Sequence, residues 1–148
     1  MNSFEELLVL LTKNKIKFVT VGGLACAFNG FVRPTEDVDI LIDNDELNVS
    51  ELIRVLSGYQ KGYAHELTPK DFPDQEGSIR IIELFPIDIF VRMSGFRYRD
   101  VAPHIKYFSI ENQDVPYLDR EMLVTLKSNS LRPQDQLDVQ KLKSMGDE

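Results

Sequence analysis

The sequence predicts an α/β or α+β domain, a β-sheet flanked by helices with two more helices at its C-terminal end. Three observations predict it. Short β-branched and aromatic runs alternate with stretches whose apolar residues recur at helical spacing. Residues 78–93 and 106–118 each hold two adjacent strand-like runs, and from 119 onward only helical patterns remain. The chain has 148 residues, the size of one domain, with 1–118 as the expected sheet core and 119–148 as the C-terminal helices. Its 24 Asp+Glu against 17 Lys+Arg give a net charge of -7, which argues against a protein that coats nucleic acid by neutralising phosphates. One cysteine and two histidines leave no disulfide framework and no Cys/His zinc cage. No apolar run approaches the roughly 20 residues needed to span a bilayer, and Glu5 and Glu6 stand where a secretory signal carries positive charge. The expectation is a cytoplasmic protein with no membrane partner.

Phe4, Leu7, Leu8 and Leu11 predict a helix over 3–14 with Ser3 as its N-cap. Residues 17–21 read as a strand running into the turn Gly22-Gly23, followed by a short helix from Leu24 to Asn29 that Gly30 caps. Residues 37–42 form a second strand, broken at Asp43-Asn44-Asp45, where Asp is at home in a turn. Leu52, Ile53, Val55 and Leu56 line the next helix, which ends at Ser57-Gly58. Residues 65–77 read as an exposed loop. Strands over 78–84 and 87–93, joined by Phe85-Pro86, make one hairpin, and 106–118 holds another strand pair. A helix over about 119–129 and one from Pro133 close the chain.

Side chains two apart on a strand share a face, so Asp37 and Asp39 point one way while Val38, Ile40 and Ile42 point the other. Asp88 stands likewise between Ile87 and Ile89. Carboxylates are poor strand formers and are seldom buried unpaired, so three of them in the most apolar strands call for a compensating charge. A hard divalent cation such as Mg²⁺ takes oxygen ligands of this kind together with substrate phosphates. As an isolated pair, Asp37 and Asp39 fit an ion pair or an edge strand as well as a metal. Upstream, Gly22-Gly23 between strand and helix gives a turn where backbone amides can approach a phosphate without a Cβ in the way. The order strand, Gly-Gly, short helix, Gly30, Arg33-x-Thr35, Asp37-x-Asp39 puts phosphate cradle and metal ligands one short helix apart.

The run Val21-Gly22-Gly23-Leu24-Ala25 through Gly30 and Arg33-Pro34-Thr35-Glu36-Asp37-Val38-Asp39 resembles the DNA polymerase β-like nucleotidyltransferase superfamily. It is most similar to the small bacterial members related to the abortive-infection toxin nucleotidyltransferases. The resemblance extends from about Phe18 to Asp138. It implies the nucleotidyltransferase fold, a mixed β-sheet flanked by helices, and transfer of a nucleoside monophosphate from an NTP to a hydroxyl acceptor with release of pyrophosphate. Asp37, Asp39 and Asp88 would then be the catalytic and Mg²⁺ (or Mn²⁺) ligands. Gly22 and Gly23, with Arg33 and Thr35, would face the nucleotide. Lys127 and Arg132, ahead of Asp135 and Asp138, match the family's later motifs. Lys127 reads equally as a solvated helix lysine, and Arg132 as a partner for one of those acids. The family often has serine where this chain has Gly23, and lysine where it has Gln134. The acceptor stays open among a protein side chain, an RNA end and a small molecule. The competing reading is a catalytically retired nucleotide- or metal-binding module working with a small protein partner, as in a toxin–antitoxin pair.

The remaining chemistry-bearing residues have structural readings. His65-Glu66 lacks the second histidine of a metalloprotease helix. His104 follows Pro103 in a loop, and Cys26 lies in the apolar stretch Leu24 to Phe28, where a buried thiol is the simple reading.

Overall fold

The computed structural model describes residues 1–146; the last two of the expected C-terminal segment lie outside the described residues. Helix α1 (Ser3–Lys13) begins one residue earlier than its sequence suggests. Its cap is Asn2, whose side chain accepts from the Glu5 amide at 2.8 Å, while Ser3 is already helical. Strand β1 (Phe18–Val21) runs directly into α2 (Gly22–Phe28), so the two glycines form the first residues of the helix and not a turn ahead of it. At the other end Gly30, with φ +102°, donates to Ala27 O and Phe31 to Cys26 O, the paired bonds of a glycine-terminated helix. Strand β2 (Val38–Ile42) follows, then α3 (Glu46–Ser57).

The stretch expected to be a loop is more ordered than its polar composition implies. Two short 3₁₀ turns, Tyr63–Glu66 and Pro69–Asp71, hold it, and Ala64 and Phe72 are buried in the core. Thr68 and Asp71 close a reciprocal cap that directs Phe72 inward. The next hairpin pairs β3 (Ser78–Ile82) with β4 (Pro86–Phe90), and Pro86 opens β4, where its missing N–H is tolerated, instead of linking the strands. The end of the expected 87–93 strand departs from the hairpin: Arg92–Met93 (β5) pairs with Phe96–Arg97 (β6) in a separate two-stranded ribbon. Its tight turn puts Ser94 and Gly95 both at positive φ. A single helical turn, α4 (Tyr98–Val101), leads to the expected strand pair β7 (Ile105–Ile110) and β8 (Gln113–Leu118), then α5 (Arg120–Lys127) and α6 (Pro133–Gly146).

Six strands form one mixed sheet in the order β3-β4-β2-β1-β8-β7. The β2–β4 and β1–β8 pairs are parallel, and the other three are antiparallel. Alternation along each strand divides the core. One face carries Phe18, Ile40, Ile42, Ile87 and Ile89 against α1 and α3; the other carries Val19, Val21 and Leu41 against α2, α5 and Leu142 of α6. Among the described residues no helix is long and apolar enough to cross a membrane.

Candidate active site

Strand register assembles the site. Val21 lies opposite Asp39, Asp39 opposite Asp88, and Asp88 opposite Arg80, a continuous row across β1, β2, β4 and β3. Partners in register project to the same face, so the row turns toward the α2 and α5 layer, where Val21 packs. Asp37, just ahead of β2, is two residues from Asp39 and joins it on that side. One carboxylate oxygen from each of Asp37, Asp39 and Asp88 lies within 4.8 Å of those of the other two. This all-oxygen donor set suits a hard divalent cation.

The electrostatics record crowding without compensation. Burial, then the neighbouring Asp37 and Asp88 carboxylates, push Asp39 from its ordinary 3.8 up to about 7. Burial and the Asp88 carboxylate also raise Asp37, against a partial offset from Arg80. Arg80 grips the third carboxylate, Asp88, with two parallel bonds, Nε to Oδ1 and Nη2 to Oδ2, both 2.9 Å.

Gly22 and Gly23 are required by close approach. Gly22 has φ +67°, and a Cβ there would collide with the Asp39 carboxylate. A Cβ on Gly23 would sit 2.5 Å from Thr35 Oγ1 and 3.1 Å from Arg33 Nη1. Glycine at this position, where the resembling family often has serine, therefore leaves the space to the Thr35 hydroxyl. Val21 offers no side-chain cap, so the first amides of α2 stay open to a ligand.

The opposite wall is a closed charge cluster. Asp138 of α6 is fully buried; it receives Arg33 Nε at 2.9 Å and Nη2 at 3.0 Å, Lys127 Nζ at 3.0 Å and Gln134 Nε2 at 2.8 Å. Lys127 also donates to Asp135 Oδ1 at 3.0 Å, and Ser130 Oγ donates to Asp135 Oδ2 at 2.7 Å. Burial would raise both acids, yet Arg33, Lys127 and Gln134 on Asp138, and Ser130 and Lys127 on Asp135, hold them below the usual carboxylate range. Arg33 and Lys127 thus reach the site already paired. Lys127 is neither a solvated lysine nor, in this state, a free phosphate ligand. Among the described residues, the Arg132 side chain makes no ion pair or hydrogen bond, so it is not a partner for Asp135 or Asp138 here.

Between the two walls lies an open cleft of about 850 Å³, and every residue singled out in the sequence for metal or nucleotide lines it. Sequence reasoning missed Arg80. The hairpin register that sets it opposite Asp88 follows from Ile82 pairing with Pro86, so reading Pro86 as part of the turn concealed the partnership. The remaining groups are structural. Cys26 is buried, which pushes its thiol up to about 11. His104, Asp119 and Glu121 also bring donor atoms together, but Asp119 already caps α5 through Oδ1 and meets His104 Nδ1 at 3.1 Å through Oδ2.

This mixed sheet, with acids in register beside a glycine-opened helix, is the nucleotidyltransferase fold. Solved structures that share it include three nucleotidyltransferase or nucleotidyltransferase-like proteins. The lincosamide antibiotic adenylyltransferase LnuA, bound to lincomycin, superposes with a TM-score of 0.56 at 15% identity, covering 95% of this chain and 94% of that one. A protein assigned as a nucleotidyltransferase from Thermotoga maritima gives 0.54 at 20% identity, covering 99% and 91%. An antigenic nucleotidyltransferase-like protein from Paracoccidioides brasiliensis gives 0.53 at 18% identity, covering 96% and 72%. Neither a protein-family model nor a curated protein sequence matches the chain.

Proposed function

We propose that this protein is a metal-dependent nucleotidyltransferase that moves a nucleoside monophosphate from an NTP to a hydroxyl acceptor and releases pyrophosphate. The observation that carries the reading is the convergence of Asp37, Asp39 and Asp88 from two strands at the floor of a cleft opened by Gly22. Asp37 and Asp39 hold a divalent cation, Mg²⁺ or Mn²⁺, and Asp88 completes the set. When bound, that cation supplies charge neutralisation and Lewis-acid polarisation at the phosphates. Gly22 and Gly23 let the triphosphate approach the first turn of α2, with the Thr35 hydroxyl beside it and Arg132, unpaired among the described residues, at the rim. Arg33 and Lys127, paired with Asp138 and Asp135, form the charge-balanced opposite wall. The acceptor oxygen forms a bond to the α-phosphorus, the bond from that phosphorus to the β-bridging oxygen breaks, and pyrophosphate leaves. The acceptor's proton passes to a carboxylate oxygen of Asp88 once Arg80 releases it. Positioning and charge complementarity supply most of the acceleration in such a reaction.

The likeness to an adenylyltransferase that acts on a lincosamide makes a small-molecule hydroxyl the first acceptor to test, ahead of RNA ends and protein side chains. The test supplies each α-labelled NTP with Mg²⁺ or Mn²⁺ and an acceptor panel, and compares wild type with Asp39→Asn. Wild type should transfer label and release pyrophosphate. Asp39→Asn should lose about a thousandfold or more, roughly 4 kcal/mol of transition-state stabilisation. Equal transfer by both would end the catalytic reading. Triphosphate binding without transfer to any acceptor would select the non-catalytic module that works through a partner.

A further inference from the structure

Among the described residues Arg80 is the one cation in contact with the acid triad, and it stands on the edge strand β3, which has a neighbour on one side only. Its guanidinium spans the triad. It grips both oxygens of Asp88 and lies 3.7 Å from Asp37 Oδ2. The Asp88 side chain is 7% exposed and that of Arg80 is 52% exposed, so the acid is fixed by the fold while the base can swing into solvent without unpacking anything. Ser78 Oγ also donates to Oδ1 at 3.3 Å, so three of the roughly four acceptor positions of the Asp88 carboxylate are taken, two of them by Arg80. A divalent cation binding Asp88 therefore competes with the Arg80 charge for the same two oxygens.

From this geometry we infer that Arg80 is a built-in counter-ion of the metal site, displaced when a divalent cation arrives and then turned toward the triphosphate. The inference rests on the function proposed above. A dication outcompetes a monocation for the same oxygens because its Coulomb attraction is twice as large at equal distance. The displaced guanidinium stays on the cleft lining, where Arg33, Lys127 and Arg92 are each already paired with carboxylates. It thereby adds a cation beside Arg132, which is unpaired among the described residues, in the metal-loaded state alone. Metal and nucleotide must then help each other bind by the same factor, since coupling between two ligands is reciprocal. Arg80 is in these terms a positioning residue for Asp88 before metal binds, and a phosphate contact afterwards.

The experiment titrates Mn²⁺ into wild type, Arg80→Gln, Arg80→Lys and Asp39→Asn, reading free Mn²⁺ by electron paramagnetic resonance. Each titration is run with and without an ATP analogue that carries a methylene bridge between its α and β phosphorus atoms. Melting curves confirm that each variant is folded. Without nucleotide, Arg80→Gln should bind Mn²⁺ about tenfold tighter than wild type, because the competing charge is gone. Arg80→Lys, which keeps the charge but loses the two-pronged grip, should fall between them. With the analogue present, the mutual enhancement seen in wild type should shrink several-fold in Arg80→Gln. Mn²⁺ affinity unchanged or weakened in Arg80→Gln, while Asp39→Asn abolishes binding, would overturn this inference and leave the proposed function standing. Failure of wild type and Arg80→Gln alike to bind Mn²⁺ would overturn both.

Discussion

The two walls of the cleft hold comparable numbers of charged groups and solve opposite problems. On the helix side Asp135 and Asp138 meet Lys127 and Arg33 one for one, and both acids are held below the usual range. On the sheet side, among the described residues, one half-exposed arginine contacts Asp37 and Asp88 and none contacts Asp39, and Asp37 and Asp39 are driven upward. The difference teaches how to tell a structural ion cluster from a binding site. A neutral, mutually saturated set stitches elements together, here α6 to α5 and to the 33–35 segment. An uncompensated set stores repulsion that an incoming cation relieves.

Breaking the balanced wall should give the largest effect. Asp138→Ala leaves Arg33 and Lys127 facing each other without their common partner, and should cost about 3–5 kcal/mol of stability in a denaturant titration. The same operation on the other wall should have the opposite sign. Asp39→Asn removes a carboxylate from the crowd and should stabilise the metal-free fold by about 1–2 kcal/mol at pH 8, while abolishing Mn²⁺ binding. Loss of stability there would show that the triad is structural and would erase the contrast between the walls.

Titration sharpens the comparison further. Asp39 is raised in the folded state, so between about pH 4 and 7 the fold holds a proton that the unfolded chain has released. Its contribution therefore stabilises the metal-free protein progressively as pH falls across that window, and is fully unfavourable above pH 7. The lowered acids of the helix side work the other way. Their stabilisation is complete above the ordinary 3.8 and is lost as pH falls through their lower folded values. Melting temperature without metal should thus rise from pH 8 to about pH 5, and Asp39→Asn should flatten that rise. Mn²⁺ affinity should increase as pH climbs toward 7, by up to about tenfold per unit, because the cation displaces the Asp39 proton. The smallest effect belongs to Arg132 at the rim of the cleft. Arg132→Gln should leave the melting temperature unchanged and weaken triphosphate binding about three- to tenfold, as read by a nucleotide titration in Mn²⁺.

Much of the sheet side was legible in the sequence because its signals are local. Acids at period two among Val and Ile name a face, and Gly-Gly after an apolar strand marks a close approach, which the Gly22 contact with Asp39 explains. The helix side was legible only as motifs, because its bonds join residues as far apart as Arg33 and Asp138, and no local pattern fixes such a distance. Arg80 escaped for a third reason. Its partner is set by hairpin register, and a shift in the turn residues changes every pairing along both strands. The cap at Asn2 and the ordered 63–72 stretch depend in the same way on competing hydrogen bonds and on one buried aromatic, Phe72, that composition does not weigh.

The row from Val21 through Asp39 and Asp88 to Arg80 also determines where this chain tolerates a change in length. An insertion or deletion of one residue inside β2 or β4 would turn every side chain beyond it to the opposite face, breaking the alternation that sets Asp39 and Asp88 on one face and Ile40, Ile42, Ile87 and Ile89 on the other, so chemistry and core would fail in a single event. Indels should therefore accumulate between the strands, and a library of one-codon insertions would trace the reaction centre as a pair of gaps in an otherwise permissive map.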